Sequence, residues 1–333
     1  MTENSVFPGL PKIESPCFDV DVQTIPEKYR SIARSLAEDG YAIIDFPDEK
    51  ILERSENIKS SLREKFDFEL WQEEKWGSGE GLRLTDEWRF NEDVKAIATN
   101  DQILETLRAV YGREPFPFQS LNFPVGTQQH PHSDTFHFNS IPERWMCGIW
   151  VALEDIEFDQ GPLVYYPGTH KWPVLWGEHL GLDLFEKKAP TQSAFDEHLD
   201  ALIVATGKEK KTFCCKQGQA LIWTANLIHG GEKQLNNQKT RWSQVTHYFF
   251  EGCTQWRTYQ SSLSTGNIVS FEPANILRNS EQLLSQSILD ALPEDFDAQG
   301  YLSNNIDLVR LGFSSSQATE HYVLYGKDEG RSY

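Results

Sequence analysis

Apolar and polar residues follow a helical spacing in the first third of the chain. The pattern predicts helices over 26–38, 49–65 and 101–111 and one strand over 41–46. Asp39-Gly40 ends the first helix, and Gly112 ends the last. Residues 66–92, rich in Trp, Glu and Gly, predict no clear element.

From residue 115 onwards the pattern changes to short apolar runs separated by Gly, Pro and Asn. These runs predict strands over 116–123, around His132, and over 146–153, 162–167, 211–215, 219–224 and 241–250. Strands at this spacing are typical of a jelly roll or a related closed sandwich. A largely helical insert at 172–210 interrupts the strands, and the chain is helical again after about residue 272.

The chain therefore divides into three parts. Residues 1–24 contain three prolines and little periodicity, which predicts an extended N-terminal arm. Residues 25–272 form the β domain with its insert, and residues 273–333 form a small helical C-terminal appendage.

Composition excludes several classes of protein. The net charge of −19 argues against partners that attract basic surfaces, such as nucleic acid or an anionic membrane. No apolar run approaches the roughly 18 residues that span a bilayer, and the N-terminus shows no signal peptide. Five cysteines without zinc-site spacing indicate reduced thiols, and we expect a cytoplasmic protein.

The segment around His132-x-Asp134 carries the clearest chemistry. In a strand, side chains two residues apart share a face, so this imidazole and carboxylate can bind one metal ion. Two His and one carboxylate on one face of an octahedral ion form the facial triad of non-haem Fe(II) oxygenases, and His229 is the candidate third ligand. The alternative is a hydrogen-bonded histidine beside a surface Asp. A second His-x-Asp pair, His198 and Asp200, lies on a predicted helix and cannot chelate.

Several motifs occur in a characteristic order. They are His132-x-Asp134, Trp150-Val-Ala-Leu-Glu-Asp, the run from Gly161 to Lys171, His229-Gly-Gly and Arg241-x-Ser243. Over roughly residues 25–255 this order resembles the phytanoyl-CoA dioxygenase family of Fe(II)- and 2-oxoglutarate-dependent oxygenases. The resemblance implies a mainly β fold with flanking helices, built on a double-stranded β-helix core of the jelly-roll or cupin type.

The resemblance also implies roles for individual residues. His132, Asp134 and His229 would hold iron, and Arg241 would form a two-pronged bond to the distal carboxylate of 2-oxoglutarate. Ser243 would add a hydroxyl donor. The alternative for Arg241 is a surface ion pair.

Other positions are candidates for the walls of the site. Trp150 matches an aromatic position near the cosubstrate, or is a core residue. Gln119 and Asn122 are further cosubstrate candidates, and Thr135, Arg89 and His170 are substrate candidates. Gly231 departs from relatives that carry a hydroxyl residue there. We expect His137, at odd spacing from His132, to face away from the metal.

The expected activity is hydroxylation of an unactivated C–H bond of a small molecule by dioxygen, with release of succinate and CO2. In the stretches from Phe296 to Val309 and from His321 to Arg331, the C-terminal tail resembles a short module of bacterial glycosyltransferases. This resemblance favours a sugar or a glycan or lipid precursor as substrate. That tail either serves as a packing cap or contacts a partner protein or a second copy. The alternative function is a jelly-roll binding or scaffold protein of polysaccharide biosynthesis with a non-catalytic metal site.

Overall fold

The computed structural model describes residues 6–75, 83–181, 192–280, 284, 286–310, 313 and 315–333. The helices are α1 (Phe18–Asp21), α2 (Glu27–Asp39), α3 (Ile51–Leu62), α4 (Phe68–Leu70), α5 (Glu92–Ala98), α6 (Asp101–Tyr111), α7 (Gln192–Thr206), α8 (Gln286–Asp290), α9 (Ala298–Asn304), α10 (Ile306–Arg310) and α11 (Ser315–His321). The strands are β1 (Tyr41–Asp45), β2 (Leu84–Thr85), β3 (Pro115–Phe123), β4 (Asn139–Ile141), β5 (Met146–Ala152), β6 (Leu163–Tyr165), β7 (Lys211–Phe213), β8 (Gln219–Thr224), β9 (His229–Gly231), β10 (Ser243–Phe250), β11 (Thr254–Trp256) and β12 (Ser270–Phe271).

The strands form one large antiparallel sheet and two small ones. The large sheet has the order β1-β8-β5-β10-β3-β2, and the small sheets have the orders β7-β6-β9 and β12-β11-β4. A single bridge between His132 and His229 adds the metal-site segment to the edge of β9. This bridge brings two predicted metal ligands together from positions 97 residues apart in sequence.

Both faces of the large sheet are buried, in agreement with the continuous apolar runs of its strands. One face packs against helices α2, α3, α5 and α6 through apolar residues such as Leu36, Ile58 and Leu107. The other face packs against β6 and β7, where Trp150 and Trp223 lie in a shared interior cluster. The predicted mainly β core of double-stranded β-helix type, with flanking helices, is confirmed.

Two local expectations differ from the structure, and a third, the helical insert, is described only in part. Residues 12–24 form short helical turns at Lys12–Glu14, α1 and Val22–Thr24, where we expected extended chain. The His132 segment is not a regular strand, because Asp134–Phe136 is a 3-10 turn. The insert at 172–210 holds a 3-10 turn at Gly177–Leu180 and then α7, and its residues 182–191 lie outside the described chain.

The C-terminal appendage has a small apolar core of its own. Its buried members are Tyr301, Leu302, Leu308, Ala318 and Tyr322. The appendage also contacts the β domain, since Arg257 and Glu320 form a buried ion pair with two bonds of 2.9 Å. Leu311, another apolar residue of this tail, lies outside the described residues.

In the part of the chain that the structure describes, the helices are all too short or too polar to cross a membrane.

Candidate metal centre

Three side chains converge at the bridge between the His132 segment and β9. Nε2 of His132 and Nε2 of His229 lie 3.9 and 3.7 Å from Oδ1 of Asp134. All three side chains are buried, and one ligand atom from each lies within 4.8 Å of the others. Bonds of about 2.1 Å place neighbouring ligands of an octahedral ion about 3 Å apart. The two distances to Oδ1 of Asp134 exceed this spacing by less than about 1 Å, so the three residues fit one metal ion after a small closure.

Backbone hydrogen bonds fix the free nitrogen of both histidines. Nδ1 of His132 lies 2.8 Å from the carbonyl of His130, and Nδ1 of His229 lies 3.0 Å from the carbonyl of Leu227. A carbonyl oxygen only accepts, so Nδ1 carries the proton in each ring and Nε2 keeps its lone pair for a metal. Burial, with the neighbouring His229, lowers the pKa of His132 to about 4, so this ring is neutral at physiological pH.

Trp223 orients the carboxylate of Asp134. Its indole N–H donates to Oδ2 over 2.6 Å, which leaves Oδ1 as the oxygen nearest the two triad histidines. Burial alone would raise the pKa of Asp134, but the three surrounding histidines and this hydrogen bond hold that pKa below its usual value. The carboxylate is therefore ionised, as a metal ligand must be.

A glycine opposite Trp223 makes room for the indole. Gly148 and Trp223 are register partners on β5 and β8, and a Cβ at Gly148 would lie 2.2 Å from the Trp223 ring. Any larger residue at 148 displaces the ring from Asp134.

His247 on β10 is a further histidine at the centre. Its Nε2 lies 3.8 Å from Oδ2 of Asp134, and its Nδ1 lies 3.0 Å from Oε1 of Gln119 on β3. The amide oxygen accepts, so Nδ1 carries the proton and Nε2 presents a lone pair toward the site. Burial lowers the pKa of His247 below its ordinary value.

Close packing explains why residue 231 is a glycine and not the hydroxyl residue of some relatives. A Cβ at this position would lie 2.6 Å from Oγ1 of Thr127 and 2.8 Å from the backbone N of Gln128. The loop before His132 thus crosses β9 at a distance that excludes any side chain. A hydroxyl residue at 231 has no room here.

Arg241 is a buried cation at the start of β10. Its guanidinium donates to Oγ of Ser243 over 2.7 Å and lies 5.6 and 5.7 Å from the rings of Phe123 and Trp150. Among the described residues no carboxylate lies within ion-pair distance of Arg241, and its Nε has no hydrogen-bond acceptor. Glu154, which is nearby, accepts from Trp242 N.

Burial lowers the pKa of Arg241 to about 10, so the side chain remains charged. A buried, unpaired guanidinium is costly unless an anion binds to it. This burial without a paired carboxylate makes Arg241 a candidate for binding a carboxylate.

Two other predicted residues lie away from the centre. Asn122 donates to Gln244, which in turn donates to the carbonyl of Val94 on α5, so Asn122 faces the helices. Gln119 lies at odd spacing from Asn122 and so faces the other way. His170 contacts the carbonyl of Ala37 on α2 and is likewise not part of the metal centre.

The remaining candidates lie in two clefts beside the centre. Thr135 lines a cleft of about 390 Å3 next to His132 and donates to Oδ1 of Asn226. Arg89 lines a second cleft of about 1020 Å3, together with Gln119 and His137. The strand alternation on which the expected direction of His137 rested does not apply here, because a 3-10 turn precedes this residue.

Sequence reasoning missed Trp223, His247 and Gly148. Each reaches the centre through cross-strand pairing, since β5, β8 and β10 are separated in sequence but adjacent in the sheet. Strand alternation could have indicated His247, because the odd-numbered residues from 243 to 247 share a face with Ser243.

The fold is similar to that of solved iron enzymes. The epimerase SnoN from nogalamycin biosynthesis has a TM-score of 0.51 at 18% identity, over 78% of this chain and 97% of that one. The carbocyclase SnoK from the same biosynthesis also has a TM-score of 0.51, at 15% identity over 70% of this chain and 87% of that one. A complex of SnoN with Fe3+, alpha ketoglutarate and nogalamycin RO has a TM-score of 0.50, at 18% identity and the same coverage as SnoN alone.

Sequence comparison gives a family but no individual relative. Comparison with curated proteins gave no match. The family description of phytanoyl-CoA dioxygenase (PhyH) matches residues 18–242, which hold the metal centre and Arg241. Because this match covers more than half of the chain, the protein belongs to the phytanoyl-CoA dioxygenase (PhyH) family.

Proposed function

We propose that this protein is an Fe(II)- and 2-oxoglutarate-dependent oxygenase that hydroxylates an unactivated C–H bond of a small molecule. The observation that carries the proposal is that one β domain holds both the triad of His132, Asp134 and His229 and the unpaired Arg241. The triad fits a metal through one face, and Arg241 fits the far carboxylate of a dicarboxylate cosubstrate.

Iron and 2-oxoglutarate are the cofactors of this centre. The donor set is two imidazoles and one ionised carboxylate, which would suit a ferrous ion. When bound, the iron and cosubstrate supply oxidation of a C–H bond by dioxygen, coupled to conversion of 2-oxoglutarate into succinate and CO2.

The protein's own residues provide positioning and exclusion of water. The backbone bonds to His132 and His229 hold both Nε2 atoms inward, and Trp223 holds Asp134. Arg241 and Ser243 supply the charge-assisted contacts that orient the cosubstrate. The aromatic side chains around Arg241 are buried, which keeps that contact dry and strong.

The experiment is a measurement of succinate release by the full-length protein with and without added Fe(II) and 2-oxoglutarate. An oxygenase releases succinate only when both are present with dioxygen. A scaffold protein with a structural metal releases none above the Asp134→Ala background, and that result would reject the proposal.

For the substrate we propose a sugar or a glycan or lipid precursor. The resemblance of the tail to a glycosyltransferase module supports this choice. A turnover screen of sugar nucleotides, lipid-linked intermediates, acyl thioesters and amino acids tests it. Mass spectrometry distinguishes hydroxylation, a gain of one oxygen, from dehydrogenation or cyclisation, each a loss of two hydrogens.

A further inference from the structure

The cleft of about 1020 Å3 lies between the β domain and the C-terminal appendage. The β domain contributes aromatic rings from Phe118, Phe138 and Phe271. The appendage side contributes Gln317, Leu324 and Tyr325, among others. Ligand pockets commonly combine apolar walls with a few polar groups that fix orientation.

This cleft reaches the metal centre through Gln119. Gln119 lines the cleft and accepts from Nδ1 of His247, whose Nε2 lies 3.8 Å from Asp134. The side chain of His247 therefore lies between the cleft lining and Asp134. The smaller cleft borders His132 directly, but its lining, as far as the structure describes it, includes no Arg, Lys, Asp or Glu.

Three guanidinium groups line the large cleft, and they differ in their partners. Arg257 is neutralised by Glu320 through two bonds of 2.9 Å. Arg89 lies over the ring of Trp88, and its charge acts on the nearby carboxylate of Asp86. These two cations are therefore already balanced by acidic groups of the protein.

Arg83 is the exception. Within the described ranges no carboxylate lies within ion-pair distance of Arg83, although the side chain is partly buried in the cleft wall. Burial lowers the pKa of Arg83, and no acidic group of the described residues opposes that effect. Arg83, Gln119 and His137 line the same cleft. Arg83 therefore faces the space that borders His247 through Gln119.

We propose that this cleft is the substrate pocket, that its substrate is an organic anion whose phosphate or carboxylate group binds Arg83, and that residues 315–325 form the pocket's outer wall. The proposal rests on the proposed oxygenase function, because only that function makes the bound anion a substrate. The binding chemistry itself is independent of turnover. An unpaired guanidinium gives strong, two-pronged bonds to either type of oxyanion.

Calorimetric titration of the full-length protein tests the anion site. The probes are phenyl phosphate, benzoate and phenol, added in the presence of saturating 2-oxoglutarate. At least one of the two anions should bind ten times more tightly than phenol, and the tighter of the two identifies the oxyanion. Equal binding of phenol, or no binding of either anion, would overturn the proposal.

Variants of Arg83 locate the contact. Arg83→Gln should weaken binding of the anionic probe at least tenfold, and Arg83→Lys should restore part of it because the charge remains. The matched control is Arg278→Gln, which removes a cation that is 71% exposed and lies outside the cleft. Unchanged binding in Arg83→Gln would refute the assignment.

Substitutions in the appendage test the wall. Leu324→Trp should fill the cleft and weaken the binding of the anionic probe at least tenfold. Val309→Trp, at an exposed position of the same appendage, should have no effect. Equal binding by Leu324→Trp and the wild type would show that the appendage is not a wall of the site.

A separate titration distinguishes this proposal from the oxygenase assignment. Anaerobic Fe(II) and 2-oxoglutarate should give the same visible charge-transfer band in Arg83→Gln as in the wild type. Loss of that band in the variant alone would make Arg83 a cosubstrate anchor and overturn its substrate role. Absence of the band in the wild type would reject the oxygenase function and leave the probe titrations to decide the anion site.

Discussion

The indole N–H of Trp223 donates to Oδ2 of Asp134 over 2.6 Å, and this bond selects the carboxylate oxygen that faces the triad histidines. The two residues come from β8 and from the 3-10 turn after His132. The contact links the barrel interior directly to the metal ligand.

Trp223→Phe tests this link. Phe retains most of the buried ring but removes the donor, so the carboxylate is free to rotate. Loss of such an outer hydrogen bond costs about 10- to 100-fold in metal affinity, and we expect that decrease for Fe(II). Anaerobic titration monitored by the charge-transfer band measures it. Trp145→Phe is the control, because Trp145 is buried and donates to the carbonyl of Gly9, away from the centre. Wild-type affinity in Trp223→Phe would contradict the prediction.

Substitution of the triad residues should reduce Fe(II) binding more strongly than Trp223→Phe does. Asp134→Ala and His229→Ala should each remove most Fe(II) binding and all turnover, because the remaining pair of ligands supplies too few bonds. His170→Ala is the control, since His170 is an equally buried histidine that contacts α2 instead of the centre. The prediction is wrong if Asp134→Ala retains wild-type affinity in an equilibrium dialysis experiment.

The sequence predicted the triad because two of its ligands are only two residues apart. The extended backbone of Ser133 preserves that same-side geometry although the segment is not a regular strand. His229 completes the triad through one bridge to His132. Spacing within a motif therefore carried most of the information about the metal ligands.

The surrounding residues depend on strand register, which no local pattern supplies. His247 faces Gln119 because β10 pairs with β3 with a register shift between His247 and Tyr248. Gln119 and Asn122, both cosubstrate candidates, cannot line one site together, since their odd spacing places them on opposite faces of β3. The cleft between the β domain and the appendage joins residues more than 200 positions apart, so no local sequence pattern indicates it.

Arg241→Leu should weaken the binding of 2-oxoglutarate much more than the binding of iron. Removing one partner of a desolvated charge pair costs roughly 2–5 kcal/mol, so the KM for 2-oxoglutarate should rise at least tenfold. Ser243→Ala should have a smaller effect, because it removes only the hydroxyl that holds the guanidinium. Succinate release at varied 2-oxoglutarate measures both variants. An unchanged KM in Arg241→Leu would assign the cosubstrate to another basic residue.

Asp86 predicts a pH dependence of stability. Burial raises its pKa to about 6, above the unfolded value of about 3.9. An acid with a raised folded pKa stabilises the fold most at low pH, and this contribution is lost as pH rises from about 4 to about 6. Asp86→Asn removes the charge, keeps an acceptor for the backbone N–H of Ser120 and tolerates the left-handed φ of 57°.

We therefore expect Asp86→Asn to exceed the wild type in free energy of unfolding by about 1–2 kcal/mol at pH 7.5. The difference should shrink at pH 4.5, where the wild-type carboxyl is protonated in the folded state. Urea unfolding at both pH values measures it, with Asp45→Asn on the exposed edge of β1 as the control. A difference that does not change with pH would contradict the assignment.

The ion pair between Arg257 and Glu320 predicts how firmly the appendage is attached. Both side chains are buried, so Glu320→Gln leaves a buried guanidinium without its counter-charge. Breaking such a pair costs about 3–5 kcal/mol, whereas replacing both partners by apolar residues is often neutral. We expect Glu320→Gln to lower the free energy of unfolding and to expose the appendage to proteolysis, and the double variant Arg257→Met with Glu320→Leu to restore resistance. Glu251→Gln, which breaks an exposed pair with Arg278, should cost no more than about 1 kcal/mol. If Glu320→Gln is as stable and as protease-resistant as Glu251→Gln, the appendage is held by its apolar contacts and the buried pair contributes little.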